Sequence, residues 1–363
     1  MPKKTPFYDQ HLQHNAKIVE FAGYLMPVQY RGIVEEHRKV RSSVGIFDLS
    51  HMGEFIVTGK DAEAFLQKVT VNDVSKLSLW QVQYSCMCYP EGGIVDDLLI
   101  YKLPHYWMLV VNASNIDKDF TWLQKHSFGD VKLENVSDRT ALLAVQGPEA
   151  EKVVKKMTDY DLSQIRFYWA AEGKFNGHQI LFSRTGYTGE DGFELYLKPE
   201  LAPKLWNLAL EAGREFEVEP IGLGARDSLR LEMKYMLYGN DIDQTTHPLE
   251  AGLGWIVKLD KGDFIGREPI LAARTKGLQR KLVAFEMLDK AFPRQHYPIA
   301  KNKRKIGEVT SGVFSPSLEK GIGLGYVPAE LSEIGSQFDL QIRDKFFPAQ
   351  VVKAPFWKNY THK

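Results

Sequence analysis

Acidic residues follow glycine-rich turns at two points where apolar strands are predicted. Residues 92–97 read Gly-Gly-Ile-Val-Asp-Asp, and residues 189–194 read Gly-Glu-Asp-Gly-Phe-Glu. An ionised carboxylate without a partner is costly in a low-dielectric interior, so we expect a ligand, a cation or a hydrogen-bond donor to meet these groups. The alternative is that both turns reach solvent and the acids are hydrated, as Asp and Glu usually are. The recurrence of the pattern favours acids that face a ligand.

The alternation of side chains along a strand indicates which acid could face a ligand. In residues 192–197 the apolar side chains at positions 193, 195 and 197 share one face, so Glu194 lies on the other. If the apolar face is core, Glu194 points into a cleft. By the same rule Asp96 and Asp97 point to opposite sides of their strand, so only one of them can serve a given ligand. The pattern does not choose between them.

A basic residue falls on the apolar stripe of a helix predicted at residues 225–237. Leu229, Met233 and Leu237 recur there at helical spacing, and Arg226 lies on the same stripe. A cation in the first turn opposes the helix dipole, and one that faces inward needs an anionic or polar partner. Arg226 is therefore a candidate ligand-binding residue. The alternative is that its side chain extends past Leu229 to solvent.

The charge balance and the hydropathy pattern disfavour two classes of partner. The 363 residues contain 46 Lys plus Arg and 46 Asp plus Glu, so the formal net charge is zero, whereas nucleic-acid-binding proteins usually carry a basic excess. The one basic run, residues 301–305, lies between two strand-like segments and is predicted to be a hairpin tip. No stretch of about 18 apolar residues occurs. We therefore expect neither a nucleic-acid partner nor a membrane span.

The two cysteines indicate a reducing environment. Cys86 and Cys88 lie on one face of a predicted strand, where neighbours do not form an ordinary disulfide. Two thiols without a matching second pair also make a poor zinc site, so we predict reduced core residues and no metal site. The amino-terminal segment lacks the apolar core of a signal peptide. We expect a cytoplasmic location, or the mitochondrial matrix if a transit peptide has been removed.

The order of predicted elements indicates an α+β chain with two similar units and a separate barrel. The β-α-β-β-α-β order of ferredoxin-like units occurs twice before residue 240, and Asp96 and Glu194 then occupy equivalent positions. In the second unit, the part between the helix opened by Pro148 and the strand at 179–184 is only a Tyr/Trp-rich segment. A polar linker ends near Arg280, and beyond it short alternating strands with Pro/Gly turns predict a small β-barrel or jelly roll.

These elements predict three domains. We assign residues 1–53 and 141–265 to the first α+β domain, residues 54–140 to the second, ferredoxin-like α+β domain, and residues 280–363 to the C-terminal β-barrel domain.

Five motifs together resemble those of the glycine cleavage T-protein family, the aminomethyltransferases. The likeness runs through the whole chain, in order and without large insertions. The motifs are GIFDLSHMG (45–53), GGIVDDLLIY (92–101), VVNASN (110–115), SRTGYTGEDGFELY (183–196) and GLGARDSLRLEMKYMLYGNDI (222–242).

The resemblance implies a three-domain cloverleaf with tetrahydrofolate bound, as co-substrate, in a central opening. The implied reaction transfers the methylene carbon from the aminomethyl-dihydrolipoyl arm of a carrier, the glycine cleavage H protein, to tetrahydrofolate. It forms 5,10-methylenetetrahydrofolate and releases ammonia. The lipoate is carried by the partner H protein and not by this chain.

The resemblance also chooses between the adjacent aspartates. The first aspartate of the family's Gly-Gly-x-x-Asp-Asp motif, here Asp96, lies beside the folate, so Asp96 is the expected catalytic residue. The expected substrate-binding and folate-binding residues are Glu194, Arg226, Tyr360, Tyr84, Asn112, Tyr187 and Trp255.

Particular features of the sequence disfavour the related folate-binding families. Folate-binding iron–sulfur assembly proteins typically carry Lys-Gly-Cys-Tyr-x-Gly-Gln, where this chain reads Lys-Gly-Asp-Phe-Ile-Gly-Arg at residues 261–267. Dimethylglycine and sarcosine oxidases need an additional flavin domain, for which 363 residues leave no room. Outside the enzymes, the alternative is a catalytically silent folate-binding or carrier-docking module.

Overall fold

The strands of this chain form three sheets and a closed barrel, in a computed structural model that describes residues 1–362. The amino-terminal elements are β1 (Lys3–Lys4), α1 (Tyr8–Gln13), β2 (Lys17–Phe21), β3 (Tyr24–Gln29), α2 (Ile33–Ser42) and β4 (Gly45–Asp48). They are followed by β5 (Gly53–Thr58), α3 (Ala62–Val69), β6 (Val82–Cys88), β7 (Ile94–Lys102), β8 (Trp107–Val111), α4 (Ile116–His126) and β9 (Lys132–Asn135).

The second half of the chain contains a further α/β segment and the barrel. The α/β segment comprises β10 (Ala141–Gln146), α5 (Ala150–Lys155), β11 (Ala170–Phe175), β12 (His178–Ser183), β13 (Gly192–Leu197), α6 (Ala202–Ala212), β14 (Glu219–Pro220) and α7 (Leu223–Glu232). After it come α8 (Arg267–Lys276), β15 (Arg280–Met287), β16 (Pro298–Lys301), β17 (Arg304–Ser315), β18 (Lys320–Pro328), β19 (Gln337–Ile342) and β20 (Lys345–Val352).

Each of the larger sheets buries one face against its own helices. The five-stranded sheet has the order β6-β7-β8-β5-β9 and packs on α3 and α4. The six-stranded sheet has the order β11-β12-β13-β10-β4-β14 and packs on α5 and α6. The barrel closes in the order β15-β18-β17-β16-β19-β20, and β1-β3-β2 form a small separate sheet. The predicted α+β class with a carboxy-terminal barrel is confirmed.

The two larger sheets repeat one order of elements, but not with the predicted equivalences. In chain order, β5-α3-β6-β7-β8-α4-β9 corresponds to β10-α5-β11-β12-β13-α6-β14. Asp96 lies on β7, which matches β12, whereas Glu194 lies on β13, which matches β8. The predicted equivalence of Asp96 and Glu194 is wrong because the prediction omits β11. The buried positions that alternate with exposed ones along that strand are Ala171, Gly173 and Phe175, and only Phe175 is large and apolar, so the strand gives a weak hydrophobic signal.

Most predicted helices are found, with two clear differences. Helix α7 ends at Glu232 rather than at residue 237, because Lys234 adopts a left-handed backbone conformation with φ of 60°. Helix α8 occupies the predicted polar linker, and only Ile270 of its residues is buried, so its apolar stripe is too short to detect. The prediction also omits the small amino-terminal sheet.

Two local predictions are confirmed. Cys86 and Cys88 are free thiols buried in β6. The basic run forms the turn between β16 and β17, where Asn302 and Lys303 have φ of 51° and 62°, as in a type I′ hairpin. None of the helices within residues 1–362 has the length and apolar character needed to cross a membrane.

Candidate active site

A cavity of about 730 Å³ lies between β6–β8, β13, the start of α7 and the segment that follows α7. Residues from the barrel's carboxy-terminal extension, Ala354 and Pro355, also line it. Six of the eight residues expected from the sequence line this cavity: Tyr84, Asn112, Tyr187, Glu194, Arg226 and Trp255. Asp96 and Tyr360 do not.

The acidic side chains of the two glycine-rich motifs contact protein groups or face the cavity and do not face bulk solvent. A Cβ on Gly93 would lie 1.9 Å from the carbonyl oxygen of Gln244, so the first turn packs directly against another backbone segment. In the second turn, Glu190 accepts a hydrogen bond from Arg41 (2.7 Å) and Asp191 accepts one from Arg184 (2.8 Å). The interpretation of these acids as hydrated is therefore wrong.

Asp97 is the aspartate of the first motif that faces the cavity. Its Oδ2 accepts a hydrogen bond from the Tyr84 hydroxyl (2.9 Å), and its Oδ1 accepts one from Asn112 Nδ2 (2.8 Å). Trp255 stacks on Tyr84 with ring centroids 6.0 Å apart and is 64% exposed at the cavity rim. Burial, and next the charge of Asp96, raise the pKa of Asp97 to about 7.

Asp96 lies behind Asp97, on the side of β7 that faces α4. Its side chain is fully buried. It accepts hydrogen bonds from the Asn112 backbone N–H (3.1 Å), from Asn112 Nδ2 (2.8 Å) and from Asn115 Nδ2 (2.7 Å). The structure thus places Asp97 at the cavity, where Asp96 is expected from the resemblance. Alternation along β7 separates the two side chains, and the sequence pattern alone left this choice open.

Glu194 approaches the cavity from β13, on the face opposite to the core residues Phe193, Leu195 and Leu197. This confirms the predicted face. The Thr185 hydroxyl donates a hydrogen bond to Glu194 Oε2. Burial raises the pKa of Glu194, whereas Thr185 and the charge of Arg226 oppose the rise.

A chain of hydroxyl groups continues from Thr185 beneath the cavity. Thr185 Oγ1 lies 2.6 Å from Ser183 Oγ, Ser183 Oγ lies 3.1 Å from the Tyr101 hydroxyl, and the Tyr101 hydroxyl lies 2.8 Å from that of Tyr196. Thr185 and Tyr101 are not among the residues expected from the sequence, because their only signal is that both fall within motifs of the resemblance. This network of hydroxyl groups fixes the Glu194 carboxylate through Thr185. The remaining acceptor positions of the carboxylate are available to a ligand.

Arg226 extends from the first turn of α7 towards the cavity. Its guanidinium carbon lies 4.5 Å from the centroid of the Tyr187 ring, and Tyr187 is fixed by a stack on Tyr235 and by donating a hydrogen bond to the Met236 carbonyl. The guanidinium forms no hydrogen bond or ion pair with any of residues 1–362. Its N–H donors are therefore available to an acceptor in the cavity.

Burial favours the neutral forms of two further groups near the cavity. Burial, and next the charge of Arg226, lower the pKa of His51 to about 3. Burial, and next the charge of Glu194, raise the pKa of Glu54 well above its usual value, and neither of its carboxylate oxygens has a hydrogen-bond partner. The ionisable side chains that line the cavity directly include Asp97, Glu194, Arg226 and Lys234.

Tyr360 does not line the cavity, although its position is close. Its side chain is 45% exposed and stacks on His362 with ring centroids 4.7 Å apart. His362 in turn stacks on Phe167 (4.4 Å), which does line the cavity. Phe167 and Tyr235 also line the cavity but are not expected from the sequence, because isolated aromatic residues carry no periodic signal.

Comparison with known proteins identifies the family. Residues 7–261 match the family model described as GCVT N-terminal domain, and residues 280–358 match the model described as Glycine cleavage T-protein C-terminal barrel domain. The chain belongs to the glycine cleavage T-protein family. The resemblance inferred from the five sequence motifs is confirmed.

Relatives within this T-protein family match over their whole length. The aminomethyltransferase of Desulfitobacterium hafniense (strain DSM 10664 / DCB-2) is 51% identical over 358 residues, which cover 98% of each chain. That of Porphyromonas gingivalis (strain ATCC BAA-308 / W83) is 51% identical and covers 98% of this chain and 100% of its own. The crystal structure of glycine cleavage system aminomethyltransferase T from Bartonella henselae has 34% identity and a TM-score of 0.94, with full coverage of both chains.

Proposed function

We propose that this T protein transfers the methylene carbon from aminomethyl-dihydrolipoyl H protein to tetrahydrofolate, forming 5,10-methylenetetrahydrofolate and releasing ammonia. The observation that carries the proposal is the convergence of Asp97, Glu194 and the unpaired guanidinium of Arg226 on one aromatic-lined cavity. Full-length similarity to aminomethyltransferases supports the same reaction. The chain is an enzyme that uses tetrahydrofolate as co-substrate and the lipoylated H protein as partner.

Glu194 is suited to bind the pterin ring. A pterin presents an exocyclic amino group and a ring N–H side by side, and a carboxylate can accept both hydrogen bonds. The hydroxyl of Thr185 fixes one oxygen of Glu194, and the Arg226 charge favours the ionised form. We therefore infer that Glu194 orients the ring and that Arg226 donates hydrogen bonds to a ligand acceptor.

Asp97 is suited to stabilise positive charge at the reacting carbon. Tetrahydrofolate supplies the nucleophilic nitrogen, and the aminomethyl carbon becomes iminium-like as ammonia leaves. Tyr84 and Asn112 hold the Asp97 carboxylate in a fixed orientation, so the stabilisation requires little reorganisation. We assign to Asp97 the catalytic role that was expected of Asp96. The role that we assign to Asp96 is to position Asn112, which donates hydrogen bonds to it.

A coupled assay with lipoylated H protein and tetrahydrofolate tests the function. The wild-type protein is expected to form methylenetetrahydrofolate, whereas a binding module would bind folate without forming product. Asp97→Asn is expected to lower kcat by about 100-fold and to change the Kd for tetrahydrofolate by less than tenfold. Equal losses in kcat and in affinity would contradict the electrostatic role.

We also propose a cytoplasmic location and the three domains expected from the sequence. The free, buried thiols of Cys86 and Cys88 support a reducing compartment. The five-stranded sheet lies within residues 54–140 apart from Gly53, the six-stranded sheet uses residues before 53 and after 140, and the barrel begins at Arg280. These sheets support a first domain formed by residues 1–53 together with 141–265, a second formed by residues 54–140, and a third formed by residues 280–363.

A further inference from the structure

A buried carboxyl group on α4 has no hydrogen-bond donor. Asp119 is fully buried, and neither of its carboxylate oxygens accepts a hydrogen bond from any residue in 1–362. The nearest cation, Lys118, has its Nζ 3.7 Å from Asp119 Oδ1. Lys118 instead donates a hydrogen bond to the Val95 carbonyl, and its Nζ lies 4.1 Å from the centroid of the Tyr238 ring. An ionised Asp119 would therefore be poorly compensated.

The side chains of Asp119 and Asp96 lie within hydrogen-bonding reach of each other. Two carboxyl groups can share a hydrogen bond only if one of them carries a proton. Asp96 already accepts three N–H hydrogen bonds, from Asn112 and Asn115, and these favour its ionised form. Asp119 has no such donors. Burial, and next the charge of Asp96, raise the pKa of Asp119 to about 11.

We propose that Asp119 is a positioning residue that remains protonated and donates a hydrogen bond to Asp96. Asp96 then holds the amide of Asn112, and Asn112 Nδ2 donates both to Asp96 Oδ1 (2.8 Å) and to Asp97 Oδ1 (2.8 Å). The chain of contacts runs from α4 through β7 to the cavity. The effect of this chain of contacts on catalysis by Asp97 rests on the proposed function, whereas the protonation of Asp119 does not.

The protonated state of Asp119 also limits the negative charge behind the cavity. The ionisable groups that face it are Asp96 and Asp97 from β7, Lys118 from its own helix, Tyr89 beyond β6, and Tyr238 from the segment after α7. If Asp119 were ionised, a third carboxylate would oppose the ionisation of Asp97. A neutral Asp119 lets Asp97 ionise near neutral pH.

Two substitutions at this position separate a neutral donor from a charged or merely structural residue. An amide can donate to Asp96 as a protonated acid does, so Asp119→Asn is expected to keep kcat and kcat/KM within about threefold of wild type, with an unchanged pH profile. Asp119→Leu cannot donate and is expected to lower kcat about tenfold or more. Asp117→Asn, an exposed aspartate in the same helical turn, is the control and should match wild type.

Infrared difference spectra test the protonation without any substrate. The wild-type minus Asp119→Asn spectrum at neutral pH should contain the carbonyl stretch of a protonated carboxylic acid, and the wild-type minus Asp117→Asn spectrum should not. The proposal is overturned if that band is absent, if Asp119→Asn is as impaired as Asp119→Leu, or if Asp119→Leu is as active as wild type. Because the spectra need no turnover, they also test the proposal if Asp119→Leu fails to fold or the aminomethyltransferase assay fails.

Discussion

The carboxylate of Asp97 changes its charge in the range where the reaction is assayed, because burial and Asp96 raise its pKa to about 7. If the ionised form stabilises the reacting carbon, kcat/KM should rise up to tenfold per pH unit below about 7 and become constant above it. Asp97→Asn should remove this rise. A profile that keeps the same rise in the variant would assign the titration to another group.

The same pKa shift has the opposite effect on stability. The folded protein holds the proton of Asp97 up to about pH 7, whereas the unfolded chain loses it near 3.8. Between these values the folded state binds more protons, so the contribution of Asp97 to the free energy of unfolding falls as the pH rises. Activity and stability therefore depend on the charge of this residue in opposite directions.

Removal of the Arg226 guanidinium should weaken folate binding. Because its N–H donors have no partner within residues 1–362, their hydrogen bonds are available to the ligand, and loss of one to a charged donor corresponds to roughly tenfold or more in affinity. We expect Arg226→Met to raise the Kd for tetrahydrofolate by that factor in calorimetric titration. Arg38→Met is the control, since Arg38 is exposed and pairs with exposed Glu319. Equal Kd values for Arg226→Met and wild type would contradict this role.

At the scale of elements, periodicity predicted the strands that carry the site but not how they correspond between the sheets. Glu194 was placed on the correct face because β13 alternates cleanly between core and cavity. The comparison of the halves failed because two of the three alternating buried positions of β11 hold the small residues Ala171 and Gly173, so the strand gives a weak hydrophobic signal. The choice between Asp96 and Asp97 could not come from the pattern, since it depends on which side of β7 is covered by α4, a tertiary contact.

A buried ionic cluster joins α2 to α7 and to the barrel. Arg41 donates hydrogen bonds to Glu232 (2.8 Å) and Glu190 (2.7 Å), while Glu232 accepts further hydrogen bonds from Ser315 and Ser317 of the barrel. His37 lies 3.1 Å from Glu232, but burial lowers the pKa of His37. The imidazole is therefore neutral at pH 7, and Arg41 supplies the positive charge.

Neutralising Glu232 should destabilise the protein strongly, because Arg41 then stays buried with less compensation. We expect Glu232→Gln to lower the free energy of unfolding at pH 7 by about 3 kcal/mol in urea titrations. Burial opposes ionisation of Glu232, but His37 and Arg41 hold its pKa at about 2. The difference should therefore be full above about pH 4.5 and shrink as the pH falls towards 2.

A matched control is available at an exposed ion pair. Glu319 pairs with Arg38 at the surface, where both side chains are more than half exposed. Glu319→Gln should change the free energy of unfolding by less than about 0.5 kcal/mol. Equal effects of the two substitutions would show that the cluster around Arg41 contributes no more than a surface pair.

On the scale of the whole molecule, the carboxy-terminal segment joins the barrel to the turn that precedes β13. The backbone N–H of Phe356 donates to the Glu232 carbonyl (2.7 Å), and Trp357 Nε1 donates to Glu190 Oε1 (2.9 Å). Thr361 donates to Glu190 Oε2 (2.6 Å) and accepts from the Asp191 N–H (3.0 Å). The segment thus connects the barrel to the end of α7 and to the turn before β13, two of the parts that surround the cavity.

Thr361 and Tyr360, adjacent in the sequence, distinguish this connection from a direct contact with folate. Thr361→Val removes both hydrogen bonds that the Thr361 hydroxyl forms with the turn before β13. We therefore expect the Kd for tetrahydrofolate to rise several-fold and the free energy of unfolding to fall by about 1 kcal/mol. Tyr360 is separated from the cavity by His362 and Phe167, so Tyr360→Phe should leave both quantities near wild type. If Tyr360→Phe instead weakens folate binding more than Thr361→Val does, the Tyr360 hydroxyl contacts the ligand, as the family resemblance implies, and the segment must move when folate binds.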